Sequence, residues 1–268
     1  MITRFAPSPT GPLHLGHAYS AMFAFDMARA ANGTFLLRIE DIDQTRARPE
    51  WERQIFDDLS WLGITWPQPV MRQSDRLEHY ASALDVLWEK RLLYPCYCNR
   101  KDVQAAANAP QQGAPIVGPD GIVYPGTCRN VSDRDAPIPE NVPLRLDIEK
   151  AAISAGLDPS EFARKIGDPV LSRKGMATSY HLSVVVDDAA QQITDVVRGM
   201  DLKDATPIHN LLQNLLNFPT PIYHHHRLIR DDSGKRLAKR DDARAISKYR
   251  SEGATPHDIR RLVGLPEL

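Results

Sequence analysis

The segment Arg4-Phe-Ala-Pro-Ser-Pro-Thr-Gly-Pro-Leu-His-Leu-Gly-His17 constrains the fold of this chain more than any other. Ile2 to Ala6 reads as a short strand, and Pro7, Pro9 and Pro12 stiffen the turn after it. An apolar-periodic helix is expected from His17, with Ala18, Ala21, Met22, Phe25 and Ala28 on one face. Two imidazoles, His14 and His17, thus stand at a helix N-terminus with Gly16 between them. Unpaired backbone N–H groups and the positive end of the helix dipole attract anions to such a place. Glycine there lets a bulky ligand approach the backbone. Strand, tight turn, paired histidines and helix start together describe a nucleotide-phosphate pocket. The competing reading is a proline-rich connection with two surface histidines.

The first hundred residues alternate short apolar strands with amphipathic helices. Thr34 to Ile39 reads as a buried strand that ends in a charge cluster of Arg38, Glu40, Asp41 and Asp43. Pro49 opens a helix with Trp51, Ile55, Leu59 and Leu62 on one face, and Gly63 stops it. Ser74 is expected to cap another, with Leu77, Tyr80, Ala81, Leu84, Leu87 and Trp88 as its stripe. This alternation implies an α/β fold with a parallel sheet. It breaks at residues 94–143, rich in Pro, Gly, Asn and Asp, which read as an insertion holding all three cysteines. Leu182 to Val186, Ile193 to Val197 and Pro221 to His226 are expected strands, with a helix from Thr206 and Pro207 to Leu216 between the last two. Thr255 and Pro256 repeat the cap-plus-proline signal in a small helical end.

Composition narrows the function classes. There is no run of about 18 apolar residues, hence no expected membrane span, and the N-terminus does not read as a signal peptide. An odd count of three cysteines makes no disulfide framework and points to the cytoplasm. A net charge of −1 argues against bulk nucleic-acid affinity, so any such contact must come from a local patch. A local patch is present from Arg227 to Arg261, with eleven Lys/Arg against six Asp/Glu. Within it, Gly234-Lys235-Arg236-Leu237-Ala238-Lys239-Arg240 is a glycine-containing cationic loop suited to a triphosphate or its pyrophosphate leaving group. Alone, such a run is usually a solvated face.

Gly11-Pro12-Leu13-His14-Leu15-Gly16-His17 resembles the HIGH signature of class I aminoacyl-tRNA synthetases, and Arg236-Leu237-Ala238-Lys239-Arg240 resembles their KMSKS loop. The segments 4–11, 37–43, 180–182 and 197–202 are similar to the glutamyl-specific branch, in order and at matching spacing. Ala238 and Arg240 stand where KMSKS has its serines, which removes hydroxyl contacts but not the charge of Lys239. The resemblance implies a Rossmann-like parallel sheet with an inserted zinc-bearing acceptor-type subdomain and a short helical C-terminus. The expected divisions are 1–93 and 182–240 for the two halves of the catalytic domain, 94–181 for the insertion and 241–268 for the helical end. It implies catalytic roles for His14, His17 and Lys239, and ATP contacts from His14, Gly16, His17, Arg236 and Lys239, with Mg²⁺ on the phosphates. For L-glutamate it implies Arg4, Phe5, Ala6, Pro7, Ser8, Glu40, Tyr180 and Arg198. The chemistry agrees: two carboxylates call for bidentate cations such as Arg4 and Arg198, and the ammonium for a counter-charge such as Glu40. Each of these also has a structural alternative, an ion pair at a strand end.

Cys96, Cys98 and Cys128 gather three thiols in the insertion and read as a structural zinc site, or as three reduced cysteines without metal. The resemblance supplies Tyr124 as the fourth ligand, giving one zinc per chain. His224, His225 and His226 alternate faces if they lie in a strand, so they do not converge on one ion. The chain ends about thirty residues after the KMSKS-like loop. The resemblance therefore points to the short branch of the glutamyl family, a monomer that uses glutamate, ATP and tRNA(Asp) carrying queuosine. Alternatives are the catalytic core of an enzyme charging tRNA(Glu), a catalytically silent tRNA-binding paralogue, or a class I nucleotidyltransferase with another acceptor.

Overall fold

The computed structural model describes residues 1–107, 116–130, 134–229 and 244–266. In chain order the first elements are β1 (Ile2–Phe5), α1 (Leu15–Ala30), β2 (Thr34–Ile39), α2 (Pro49–Trp61), β3 (Met71–Arg72), α3 (Leu77–Glu89) and β4 (Leu93–Pro95). Then come α4 (Arg100–Ala107), β5 (Val117–Gly118), β6 (Gly121–Ile122), β7 (Leu144–Leu146), α5 (Ile148–Ser154), α6 (Pro159–Lys165) and β8 (Val170–Ser172). The last are α7 (Tyr180–Ala190), β9 (Asp195–Gly199), α8 (Thr206–Leu215), β10 (Ile222–His226), α9 (Ile246–Ser251) and α10 (Pro256–Val263). No described helix is long and apolar enough to cross a membrane.

The chain divides into two compact units, one of residues 1–75, 192–203 and 221–268, the other of 76–191 and 204–220. The insertion expected at 94–181 falls in the second unit, which also takes in α3, the remainder of α7 and α8.

In the first unit β1 pairs in parallel with β2, β2 with β3, and β9 with β10. Ile2 and Thr194 are joined by hydrogen bonds in both directions, and Arg4 Nη1 reaches Val197 O at 3.5 Å, so β9 runs beside β1 in the same direction. The strand order is thus β3-β2-β1-β9-β10, and the sequence direction reverses between β1 and β9. That crevice, outside the carboxyl ends of the strands, is where open α/β sheets bind ligands. Phe5, Phe35, Leu37 and Ile39 of the sheet and Ala18, Ala21 and Met22 of α1 share one core with Ile55, Leu59, Ile246, Ile259 and Val263. Truncating Leu59, fully buried there, to alanine would cost about 2–5 kcal/mol. Thr255 and Asp258 form the capping box expected at Thr255, and Gly264 ends α10 in the left-handed region at φ 70°.

The second unit holds the antiparallel sheet β4-β7-β8, the hairpin β5-β6 and helices α3 to α8. Three sequence expectations change here or at its border. Leu182 to Val186 is not a strand but the middle of α7, in which every residue from His181 to Asp188 is buried. A helix buried all round shows no 3.6-residue stripe, and its apolar run mimics a core strand. Ser74 does not cap α3; it lies in a short 3-10 turn, Gln73–Arg76, where its N–H and hydroxyl bond Asp41 at 2.9 and 2.6 Å. Thr206 is the first residue of α8 rather than its cap, which is Ala205.

Candidate active site and cysteine cluster

In the first unit the described sequence-predicted residues sit in β1 and β9, on the turn after β1, at the start of α1 and at the end of β2. α1 starts two residues earlier than expected, at Leu15, because His14 takes the cap position with extended backbone. Its Nδ1 accepts the Gly16 N–H at 3.1 Å, and His17 Nδ1 accepts the His14 N–H at 3.2 Å. This is a capping box built from imidazoles, with ring centroids 3.8 Å apart. The N–H groups expected to be open to an anion are therefore partly engaged by the histidines themselves. Because each Nδ1 accepts, each neutral ring carries its proton on Nε2. The helix end offers imidazole N–H donors in place of backbone ones. Gly16 lies within the first turn, between the two histidines in sequence.

Arg4, on β1, is 6% exposed and Arg198, on β9, is 5% exposed. Arg198 lies 4.7 Å over the Tyr223 ring and donates from Nε to His225 Nε2 at 3.4 Å. Burial, then the Arg198 charge, lowers the His225 pKa, so this imidazole is the neutral acceptor of that bond. Phe5 and Pro7 are buried, Ala6 half-buried and Ser8 exposed in the turn after β1. The Glu40 N–H donates to Pro7 O at 3.0 Å, holding the end of β2 against that turn. The Glu40 carboxylate accepts from Nη2 of fully buried Arg38 at 3.3 Å. The charge cluster thus resolves into separate partnerships: Arg38 with Glu40, Asp41 with Ser74, and Asp43 with Thr45 and Arg46.

His224, His225 and His226 alternate as expected. His224 meets Asp195 at 2.7 Å, His225 meets Arg198, and His226 meets Ser20 at 2.7 Å. Arg236 and Lys239 lie outside the described residues, as do Ala238 and Arg240. The segment that follows returns to the histidines: Ala245 bridges His14, and the Ile246 N–H donates to Leu13 O at 2.9 Å.

In the second unit Tyr180 opens α7, after Ser179 at its cap. The cysteines form the cluster that their spacing suggested. The Sγ atoms of Cys96, Cys98 and Cys128 all lie within 4.8 Å of one another, the only such donor group of three or more among the described residues. Tyr124 Oη is 3.5 Å from Cys96 Sγ and 3.4 Å from Cys98 Sγ, and Cys98 and Cys128 Sγ are 3.5 Å apart. Tetrahedral zinc bonds of about 2.3 Å to sulfur and 2.0 Å to oxygen imply edges of about 3.8 and 3.5 Å, so the donor set fits such an ion. Burial pushes the Cys98 thiol up to about 11 and, with hydrogen bonds to the thiols, raises Tyr124 further; a cation among them would reverse both. Arg145 fixes the phenol: its guanidinium lies 3.9 Å over the Tyr124 ring and bonds Asp168 O at 2.6 Å. Arg129 braces the same floor through Asp168 at 2.9 and 3.0 Å and Glu149 at 2.7 Å. No short-range pattern announces Arg145 or Arg129, whose partners are distant in sequence.

A family model described as tRNA synthetases class I (E and Q), catalytic domain, matches residues 1–266. A glutamyl-Q tRNA(Asp) synthetase of Rhodobacter capsulatus is 61% identical over 99% of this chain and 100% of its own length. One of Nocardia farcinica is 40% identical, covering 98% of this chain and 85% of that protein. A crystal structure of a glutamate tRNA ligase from Elizabethkingia meningosepticum, in complex with its amino acid, superposes with a TM-score of 0.73 at 24% identity. It covers 98% of this chain, which spans only 60% of that structure, and at this identity the likeness speaks for the fold alone.

Proposed function

Because the chain belongs to the family of class I tRNA synthetase catalytic domains for E and Q, we propose that it activates L-glutamate with ATP and transfers the glutamyl group to the queuosine base of tRNA(Asp). One observation carries this reading: a relative named for that product is 61% identical from end to end.

A glutamate carboxylate oxygen attacks the α-phosphorus of ATP as the bond to pyrophosphate breaks, giving glutamyl-adenylate. The Nε2–H groups of His14 and His17 donate to the phosphoryl oxygens as charge develops there, and Gly16 leaves room for them. Arg236 and Lys239 neutralise the departing pyrophosphate, and Mg²⁺ enters with ATP. Arg4 and Arg198 bind the substrate carboxylates with guanidinium forks, favoured by their burial on neighbouring strands. Glu40 faces the ammonium, with Phe5, Ala6, Pro7 and Ser8 as the adjoining wall. Tyr180 is assigned to glutamate by the resemblance alone. A hydroxyl of the modified base then attacks the acyl carbon and AMP leaves. Cys96, Cys98, Tyr124 and Cys128 would hold a structural zinc, which when bound fixes a segment of low apolar content and takes no part in the chemistry.

Glutamate-dependent ATP–pyrophosphate exchange tests this assignment. Wild-type protein exchanges with glutamate and not with aspartate or glutamine, and Glu40→Ala abolishes exchange while ATP binding persists. Undiminished exchange by that variant would remove Glu40 from the pocket.

A further inference from the structure

Behind Tyr180, in the second unit, lies a chain of polar groups that the proposed chemistry does not use. His181, the next residue on α7, is 5% exposed, and His209 on α8 is 1% exposed. His181 Nδ1 and His209 Nε2 are 3.0 Å apart. On its other side, His181 Nε2 meets both carboxylate oxygens of Asp120 at 2.9 and 3.0 Å. Burial raises the Asp120 pKa, but the His181 hydrogen bond and charge and the nearby Arg173 and Arg145 outweigh it, so the carboxyl is ionised. A carboxylate only accepts, which puts a proton on His181 Nε2. In neutral His181 the Nδ1 lone pair then accepts from His209 Nε2–H; in the imidazolium the direction reverses and the bond remains. The orientation of both rings is therefore set from Asp120.

These two imidazoles are the surface against which Tyr180 rests. Its ring centroid is 5.6 Å from that of His181 and 5.7 Å from that of His209, edge-on to each at 63° and 62°. Such edge-to-face contacts fix the aromatic plane. Asp120 itself belongs to the tip of the β5-β6 hairpin, four residues before Tyr124 of the cysteine cluster. The hairpin is seated closely: a Cβ added at Gly167 would come within 2.7 Å of Val123 Cγ1, and one at Gly118 within 2.6 Å of Lys165 O.

We infer that Asp120, His181 and His209 act as positioning residues that lock the Tyr180 ring, so that the hairpin of the cysteine-bearing segment sets the affinity for glutamate. This rests on the reading of Tyr180 as a glutamate contact. The segment then serves substrate recognition as well as stability, because its tip holds the histidine next to the recognising tyrosine. The expected signature is a selective one: altered glutamate binding with unaltered ATP use.

ATP–pyrophosphate exchange kinetics test it with five variants. Asp120→Ala and His209→Leu raise KM for glutamate about tenfold, leaving KM for ATP, kcat and bound-metal content near wild type. Asp120→Asn, which keeps an acceptor for His181 Nε2, and His209→Gln, which keeps a donor for Nδ1, restore most of the affinity. Asp120 is half-exposed, so its replacement tests the relay even if the buried His209→Leu variant fails to fold. Tyr180→Ala raises KM for glutamate by at least as much. If Tyr180→Ala leaves that KM unchanged, the assignment of Tyr180 falls and the inference with it. If Tyr180→Ala raises it but Asp120→Ala does not, or moves both KM values and kcat alike, the relay is overturned while the tyrosine assignment stands.

Discussion

His14 and His17 cap one another across the first turn of α1: the Nδ1 of His17 accepts the His14 N–H at 3.2 Å while the Nδ1 of His14 accepts the Gly16 N–H at 3.1 Å. The same bonds that begin the helix fix the tautomer each ring presents. Structure and chemistry can be separated here, because asparagine caps helices well but carries no imidazole N–H. His14→Asn should keep Tm within about 4 °C of wild type. Its exchange rate should fall by about 10²–10³. A variant that loses stability but keeps its rate would make His14 a cap and nothing more.

Lys239 is assigned to the leaving pyrophosphate, a charge that exists fully only after the transition state is approached. Lys239→Ala should lower kcat for exchange by about 2–4 kcal/mol of transition-state stabilisation. KM for glutamate should change little. Pre-steady-state adenylate formation reads this directly, and an unchanged rate would take Lys239 out of the step.

The cysteine cluster predicts about one zinc per purified chain. Tyr124→Phe keeps a ring for Arg145 to cover but deletes the oxygen, so it should release zinc faster to a chelator than wild type does. Chelation should lower Tm. Metal analysis finding no zinc, together with chelator-insensitive stability, would contradict the site.

Asp58 gives a pH dependence of stability. It is 1% exposed on α2, its Oδ2 has no hydrogen-bond partner, and burial, against the lowering effect of Arg250, raises its pKa from 3.8 to about 6. An acid with a raised native pKa binds its proton more tightly when folded, so it destabilises the fold as pH rises from about 4 through about 6. Asp58→Asn should therefore raise Tm above pH 6 and have little effect near pH 4. Thermal unfolding across that window checks the sign; a constant difference at all pH values would contradict it.

Local signals carried much of the first unit. Pro49 and Gly63 bracket α2, Thr255 and Pro256 open α10, and β2 occupies Thr34–Ile39 as its apolar run suggests. Thr34–Ile39 and Ile2–Phe5 alternate too little to reveal a face, yet their order around α1 was enough for a parallel sheet. α7 was illegible because it is buried all round. Even its Asp187 is inside, bonded by Arg76 at 2.7 Å and Tyr80 at 2.9 Å, so no polar face marks a helix. The chain from Asp120 through His181 to His209 was likewise invisible, since those residues meet only after the hairpin and two helices pack. The thiol cluster was legible from Cys96, Cys98 and Cys128 together, because three thiols gathered in one inserted segment make no disulfide framework but suit a metal site.

Transfer of labelled glutamate to tRNA(Asp), with and without queuosine, tests the central claim most directly. The account predicts label on queuosine-bearing tRNA(Asp), none on the unmodified tRNA(Asp) and none on tRNA(Glu). Acceptor-end charging of tRNA(Glu), or labelling indifferent to queuosine, would contradict it.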